Sequence, residues 1–261
     1  MLAYRAHLAV TKAAMLAEAE SHRDADRFKT GSFGTCAIGC AAQSLVARTG
    51  LAVDNDDHTT VANLQGWPEW LAHAEDTIFE TLPHECFANW PVEIVEAIPD
   101  GADLSGVRDA WLALVLRRVV LPIAGTAAGV VERIAAGLET GWMHDDQDAA
   151  RQAAWDTARA GAYAFATGEN VASYAAYAAA NAAKDATAWD SWSVPRGVIN
   201  AASSAACADA IGSASRTSIA CNDGYPTSDA KAVLTMAALL LDCLAAAPVP
   251  ARAAPALAEA L

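Results

Sequence analysis

The chain has 261 residues and a formal net charge of −14, with 31 Asp and Glu against 17 Lys and Arg. Such an acidic chain lacks the clustered basic side chains that hold nucleic acid or an anionic membrane, so we expect neither as a partner. Alanine makes up much of the 54% hydrophobic fraction, and the core is therefore expected to be thin and closely spaced.

The sequence favours a soluble protein of the cytoplasm. Its start lacks the charged, apolar and small-residue segments of a secretory signal. The most apolar stretch, residues 119–131, is too short to span a bilayer. Six cysteines are too sparse for a disulfide framework and suit buried thiols in a reducing compartment.

The N-terminal region predicts two helices separated by a glycine-containing break. Residues 2–22 are rich in strong helix formers, and residues 29–34 (KTGSFG) end that helix. Thr35 can cap a second helix, which Gly50 is placed to end. The polar run 54–58 lacks the glycine and the distal glutamate of a calcium loop, so it is interpreted as a helix-capping loop.

Prolines delimit the next two predicted helices. Apolar residues recur at spacings of three and four over 67–82, with Pro68 in the first turn and Pro83 at the end. The acidic residues of this helix are expected on the opposite face: Glu69, Glu75, Asp76 and Glu80. Pro91 opens a shorter amphipathic helix, which Pro99 closes.

The remaining predicted helices become increasingly rich in alanine. The next helix stops near Pro122, and Gly125 and Gly129, four residues apart, mark a close helix crossing. Gly168 separates two alanine-rich helices as an antiparallel pair, and a last helix covers residues 228–246.

These elements predict an all-α fold, an alanine-rich multi-helix bundle of antiparallel helices, with two packed helical halves as the alternative arrangement. Residues 1–140 are assigned to a Trp- and Pro-punctuated helical region, 141–247 to an alanine-rich helical bundle, and 248–261 to a flexible tail rich in Pro and Ala. The tryptophans are expected to anchor the core: Trp67, Trp70, Trp90, Trp111, Trp142, Trp155, Trp189 and Trp192.

Four residues of the first region could form a metal site. Cys36 and Cys40 lie on one predicted helical face near a helix start, where the dipole lowers the pKa of a thiol. With His84 and Cys86 they would supply the sulfur and nitrogen ligands that zinc prefers. Their spacing is not a recurrent zinc spacing, and small thiols packed against Gly39 explain the same residues. Core packing is therefore the preferred interpretation, and no cofactor is assigned.

Other catalytic patterns are missing from the sequence. The pairs Glu18–His22 and Glu69–His73 have Glu-x3-His spacing, not the Glu-x-x-His of a di-iron bundle, and are interpreted as ordinary surface pairs. Residues 84–86 place a histidine beside a cysteine, but nothing supplies an oxyanion hole. There is no nucleophile elbow and no phosphate- or dinucleotide-binding glycine loop.

Aromatic residues near the alanine-rich helices provide a candidate binding surface. These residues could line a groove or an interface, where tyrosine and tryptophan concentrate binding energy: Tyr163, Tyr174, Tyr177, Trp189 and Trp192. The competing interpretation is that they fill gaps between alanine faces.

Two segments, residues 36–40 (CAIGC) and 76–107 (DTIFETLPHECFANWPVEIVEAIPDGADLSGV), carry a resemblance. The chain resembles an uncharacterised family of bacterial and phage-borne proteins that share a Cys-rich Gly turn, a Trp-Pro-led helix and an acidic turn of the form EAIP-x-GADLS. The resemblance covers mainly residues 30–115. It implies a prokaryotic or phage origin and adds weight to the region of Cys36, but it implies no activity and no catalytic residue.

The expected function is non-enzymatic. It is that of a helical protein-interaction module, such as an inhibitor, an immunity protein or a phage accessory protein, which binds a protein partner through a helix face. One alternative is a metal-binding protein or an enzyme with a site around Cys36, Cys40, His84 and Cys86, with zinc as the ion. A second is a structural or assembly protein, which would form a homo-oligomer.

Overall fold

The computed structural model describes six stretches of the chain: residues 11–24, 58–82, 84–141, 146–186, 198–205 and 227–250. These stretches contain ten α-helices that are numbered below, a further helical segment at residues 198–205, and no strand. The prediction of an all-α, multi-helix fold is therefore confirmed. No helix within these ranges is both long enough and apolar enough to cross a lipid bilayer.

The helices are numbered in chain order. They are α1 (Lys12–Asp24), α2 (His58–Gln65), α3 (Glu69–Thr81), α4 (His84–Phe87), α5 (Trp90–Ala97), α6 (Val107–Val115), α7 (Ala128–Thr140), α8 (Gln147–Ala166), α9 (Asn170–Ala186) and α10 (Thr227–Ala245). A π-helical turn (Leu116–Val120) and two 3₁₀ turns (Leu121–Ile123 and Gly125–Ala127) connect α6 to α7. Residues 198–205 are also helical.

Local residue chemistry sets several of these boundaries. Pro68 precedes α3 in an extended conformation, with φ −68° and ψ 143°, and Pro91 occupies the first turn of α5. The carboxylate of Asp146 caps α8 by accepting a hydrogen bond from the backbone N–H of Ala149 at 2.9 Å. Gly168 has φ +82° in the turn between α8 and α9, a conformation that favours glycine. The predicted boundaries at Pro68, Pro91 and Gly168 are confirmed.

Helix α6 does not end abruptly before Pro122. Its backbone continues into the π-helical turn, in which the N–H of Leu121 donates to the carbonyl of Leu116, five residues earlier. Pro122 follows and has no N–H with which to continue an α-helical pattern. The close crossing predicted at Gly125 and Gly129 is wrong for Gly129, which is exposed on α7 with nothing within 4 Å of an added Cβ. A Cβ added to Gly125 would lie 4.0 Å from the Cβ of Ala172 on α9.

Arg117 fastens the π-helical turn to α7. Its guanidinium donates to both carboxylate oxygens of Glu132, at 2.5 and 2.7 Å, and to both of Glu139, at 2.7 and 2.9 Å. The hydrogen bonds to Glu139 and Glu132 raise the pKa of Arg117, and the same contact lowers the pKa of Glu139. A bidentate pair with Glu139 and one nitrogen shared between the two oxygens of Glu132 therefore fix the orientation of the turn.

One hydrophobic core cluster includes residues of α2 through α10. Trp111 of α6 is fully buried, and its Nε1 donates to the carbonyl of Met236 on α10 at 3.0 Å. Trp90 of α5 donates in the same way to the carbonyl of Glu75 on α3 at 3.0 Å. The last helix therefore packs against the tryptophan-rich part of the chain, and the described core is continuous across residue 140. The division of the chain into three regions stays a prediction.

The core differs in thickness between α3–α7 and the α8–α9 pair. The largest fully buried side chains are Trp90, Trp111, Phe79, Leu71, Ile78, Ile94, Leu112, Leu116, Ile134 and Ile199. The α8–α9 pair buries mainly alanine instead. A Cβ added to Gly161 would lie 3.3 Å from both the Cβ of Ala176 and the carbonyl oxygen of Ser173, so the two helices cross at close range. The thin core expected from composition is found in this pair and not beneath α3–α7.

Candidate functional site

The predicted aromatic residues are described in part. Tyr174 and Tyr177 lie on α9, and each has 40% of its surface exposed. Trp189 and Trp192 lie outside the described residues.

The predicted metal site lies largely outside the described residues. Cys36 and Cys40 are among the residues not described, and His84 begins α4. Cys86, on the same short helix, is a half-buried free thiol packed against the core. Burial raises the pKa of the other described thiol, Cys243, to about 11, so it is protonated at neutral pH. Within the described ranges, no three His, Cys, Asp or Glu side chains are placed to hold a metal ion, and the metal hypothesis stays a prediction.

Large aromatic side chains are exposed on the α8–α9 pair. On α8 the exposed fractions are 64% for Trp155, 71% for Tyr163 and 67% for Phe165. The expectation that Trp155 anchors the core is therefore wrong. The buried face of α8 consists of small residues, among them Ala150 and Ala153, and two helices in such close contact leave no space for an indole between them.

Four of the exposed aromatic residues lie on one side of the helix pair. The ring of Tyr177 reaches to 3.6 Å from the position of a Cβ added to Gly161, so it covers the crossing point. Phe165 follows Gly161 by one helical turn, and Tyr174 precedes Tyr177 by three residues on α9. We call Trp155, Phe165, Tyr174 and Tyr177 the aromatic face. Tyr163 does not belong to it, because it lies two residues from Phe165 on the other side of α8.

Charged residues also lie along α8. Arg151 forms an ion pair with Asp148, three residues earlier. Gln152 donates a hydrogen bond to the carboxylate of Asp156 at 2.9 Å. The exposed side chain of Arg159 makes no ion pair with any residue that the structure describes. With the capping Asp146, α8 therefore carries three acidic and two basic side chains.

A second polar group lies where α2 meets α3. The rings of His58 and His73 are stacked, with centroids 4.1 Å apart and an interplanar angle of 16°. The Nε2 of His58 lies 3.4 Å from a carboxylate oxygen of Asp76, and the Nε2 of His73 lies 3.7 Å from one of Glu69. Burial lowers the pKa of His73, and the neighbouring His58 lowers it further. The Glu69–His73 pair is predictable from the spacing of the two residues along the helix. The stacking of His58 on His73 is not, because His58 belongs to a different helix.

Two histidines that were predicted to form pairs at the surface are more buried than expected. His22 bonds to Glu18 at 3.2 Å, as the spacing predicts, but its side chain is buried and not at the surface. The pair of His73 and Glu69 is also formed, with the His73 side chain only 15% exposed. Helical spacing therefore identified the pairs and missed their burial.

Glu75 is a buried acid in α3. It is 5% exposed, so its predicted place on the exposed face is wrong. Burial raises the pKa of its carboxyl group well above the ordinary value, and the charges of Asp76 and Glu80 raise it further. Leu71 and Phe79 lie four residues before and four residues after Glu75, so the three side chains share one face of the helix. This spacing could have predicted that Glu75 lies on the apolar face.

A cavity of about 200 Å³ lies between α1, the α2–α3 turn and the loop after α5. The Nζ of Lys12, one of its lining residues, donates to the carbonyls of Glu96 and Ile98 at 3.0 and 2.6 Å. The amide oxygen of Gln65 is buried there without a hydrogen-bond partner in the described part of the chain. The cavity is smaller than the roughly 300–1,000 Å³ typical of ligand sites, and we assign no function to it.

Comparisons of the chain with protein families, with curated proteins and with solved structures find no match. The resemblance of residues 36–40 and 76–107 to a bacterial and phage family therefore stays a prediction.

Proposed function

We propose that the protein is a helical protein-interaction module that binds its partner through the aromatic face of α8 and α9. The observation that carries the proposal is the exposure of four large aromatic side chains on one side of a closely packed helix pair. Large exposed apolar side chains that share one surface often mark a binding site. An inhibitor, an immunity protein or a phage accessory protein would act in this way.

The magnitude of the exposed apolar surface supports a binding role. At side-chain areas of roughly 200 Å² each, the exposed fractions leave about 400 Å² of aromatic surface in contact with water. Burying that area would contribute about 10 kcal/mol before costs, which is comparable to the roughly 4–15 kcal/mol lost on association. The aromatic face alone therefore offsets about the cost of association, and a partner must make further contacts around it to bind.

The surface is also held in place before binding. Close contact at Gly161 and the cap at Asp146 fix α8. Thr126 donates to the carboxylate of Glu169 at 2.5 Å and so ties the α8–α9 turn to the connection before α7. A surface that is already ordered loses less conformational entropy on binding.

Site-specific photo-crosslinking in the native cell tests this proposal. A benzophenone amino acid at position 174 should form an adduct with a protein partner. The same amino acid at the exposed Glu93 position of α5, remote from the aromatic face, is the matched control. Equal adduct formation at both positions, or none at position 174, would contradict the proposal.

Substitution of the tyrosines gives a quantitative version of the test. Once the adduct identifies the partner, Tyr174→Ala combined with Tyr177→Ala should weaken its binding at least tenfold, because interface tyrosines often contribute 1–2 kcal/mol or more each. Circular dichroism should show unchanged helix content, since both residues are 40% exposed. Undiminished affinity in the folded double variant would show that this face is not the binding surface.

A further inference from the structure

Four residues along the exposed side of α8 form a stripe whose sequence of large and small side chains is symmetric about its centre. Trp155, Ala158, Ala162 and Phe165 follow one another at spacings of three, four and three residues, and so lie along one side of the helix. The large residues stand at the two ends and the alanines between them. When two such stripes meet antiparallel, each large residue of one lies opposite a large residue of the other.

We propose that α8 pairs antiparallel with α8 of a second copy of this chain, around a two-fold axis beside residue 160. In this register Trp155 of one copy contacts Phe165 of the other, and Ala158 lies against Ala162. Such an interface is isologous, so every contact occurs twice. The inference rests on the proposed function and names the occupant of the aromatic face.

The same register places a basic residue at the end of the partner helix. Arg151 is nine residues from the centre, so the two-fold axis brings it to the C-terminal end of the other copy's α8, which ends at Ala166. The helix dipole favours a positive charge there. Arg151 and Arg159 offset part of the negative charge that Asp146, Asp148 and Asp156 bring to α8, which reduces the repulsion between two chains of net charge −14.

The residues at the centre permit close approach. Ala158 and Ala162 have short side chains, and helices that meet through alanine can reach the lower end of the usual 8–10 Å interaxial range. Tyr174 and Tyr177 border the stripe on the α9 side and widen the contact. The aromatic face supplies about half of the roughly 800 Å² that each partner buries in a standard interface, so we expect a weak dimer whose population depends on concentration.

Analytical ultracentrifugation of the full chain tests dimer formation. The sedimentation coefficient should rise as the concentration increases from about 1 μM to about 1 mM. Trp155→Ala and Phe165→Ala should each raise the dissociation constant at least tenfold. Tyr163→Ala is the matched control, because Tyr163 is an aromatic residue of the same helix, 71% exposed, that lies outside the stripe. Equal weakening by Tyr163→Ala would overturn the register.

Crosslinking between isotopically distinct copies tests the contacts themselves. A benzophenone amino acid at position 155, in an equimolar mixture of ¹⁴N- and ¹⁵N-labelled chains, should form mixed-isotope adducts on the peptide that contains Phe165. Mixed adducts only at other peptides would overturn the antiparallel pairing.

A chain that stays monomeric at every concentration overturns the dimer but leaves the proposed function standing if position 174 captures another protein. A dimer that forms without adducts from position 155 or 174 overturns both.

Discussion

Glu75 brings a carboxyl group into the core of the protein, one helical turn from Leu71 on one side and from Phe79 on the other. A buried carboxyl favours its neutral form, so the folded chain takes up a proton that the unfolded chain releases near pH 4.5, the ordinary pKa of glutamate. The stabilising contribution of the neutral acid is complete below that pH. It is lost as the pH rises toward the raised pKa of the folded state.

We therefore expect Glu75→Gln to stabilise the protein at neutral pH. The gain at pH 7 cannot exceed about 3.5 kcal/mol, the cost of protonating a carboxyl group with an ordinary pKa at that pH. Urea denaturation followed by circular dichroism between pH 5 and pH 8 (roughly the stable range of most domains) should show the gain growing with pH. Glu93→Gln, at an exposed position, is the control, and a gain independent of pH would contradict the mechanism.

The His58–His73 stack has the opposite pH dependence. Because burial and His58 lower the pKa of His73 below 6.5, the contribution of neutral His73 to stability is present above pH 6.5. It is lost as the pH falls through the lowered pKa of the folded state. Glu69 and Asp76 oppose this shift but do not reverse it.

A titration of the histidine ring signals by NMR should place the pKa of His73 below 6.5. In the His58→Gln variant the pKa of His73 should rise, because one of the two influences that lower it has been removed. Unfolding measurements should show a smaller loss of stability between pH 6.5 and pH 5 in this variant (the interval over which an ordinary histidine titrates). An unchanged or lower pKa of His73 would show that the stacked ring does not act electrostatically.

At the scale of the helices, α8 and α9 depend on Gly161. A Cβ at this position would approach Ala176 and Ser173 to 3.3 Å, and a longer side chain would separate the helices. The antiparallel pair was predictable, because Gly168 breaks the alanine run and a short connection makes neighbouring helices antiparallel. The crossing point was not predictable, since Gly129 and Gly161 both lie within helices and only packing distinguishes them.

The two glycines provide a matched test of this crossing. Gly161→Leu should destabilise the protein by about 1–3 kcal/mol through overpacking. Gly129→Leu should instead stabilise it by up to about 1 kcal/mol, because leucine is a better helix former than glycine and the position is exposed. Urea denaturation of both variants measures the difference. Similar values for the two substitutions would show that α8 and α9 tolerate separation.

At the scale of the whole molecule, one core joins helices from both ends of the described chain. Trp111 of α6 reaches Met236 of α10, although 125 residues separate them. Trp90 links α5 to α3. The sequence predicted that these tryptophans anchor a core, because a large apolar side chain in an alanine-rich chain has few other places to be buried. It did not distinguish them from Trp155, which occupies a similar helical pattern but faces water.

The sequence by itself determined the all-α fold and several helix boundaries, at Pro68, Pro91 and Gly168. Capping and backbone preferences act over a few residues, so they can be identified along the chain without knowledge of distant contacts.

Only the tertiary structure decided which helix faces are covered. It buried Glu75, stacked His58 on His73, and left Trp155 and Phe165 exposed on a surface whose opposite side is packed with alanine. The physical reason is that the environment of a side chain depends on the element packed against it. A helical pattern gives the direction of each residue around its own axis but not the identity of the neighbour on that side.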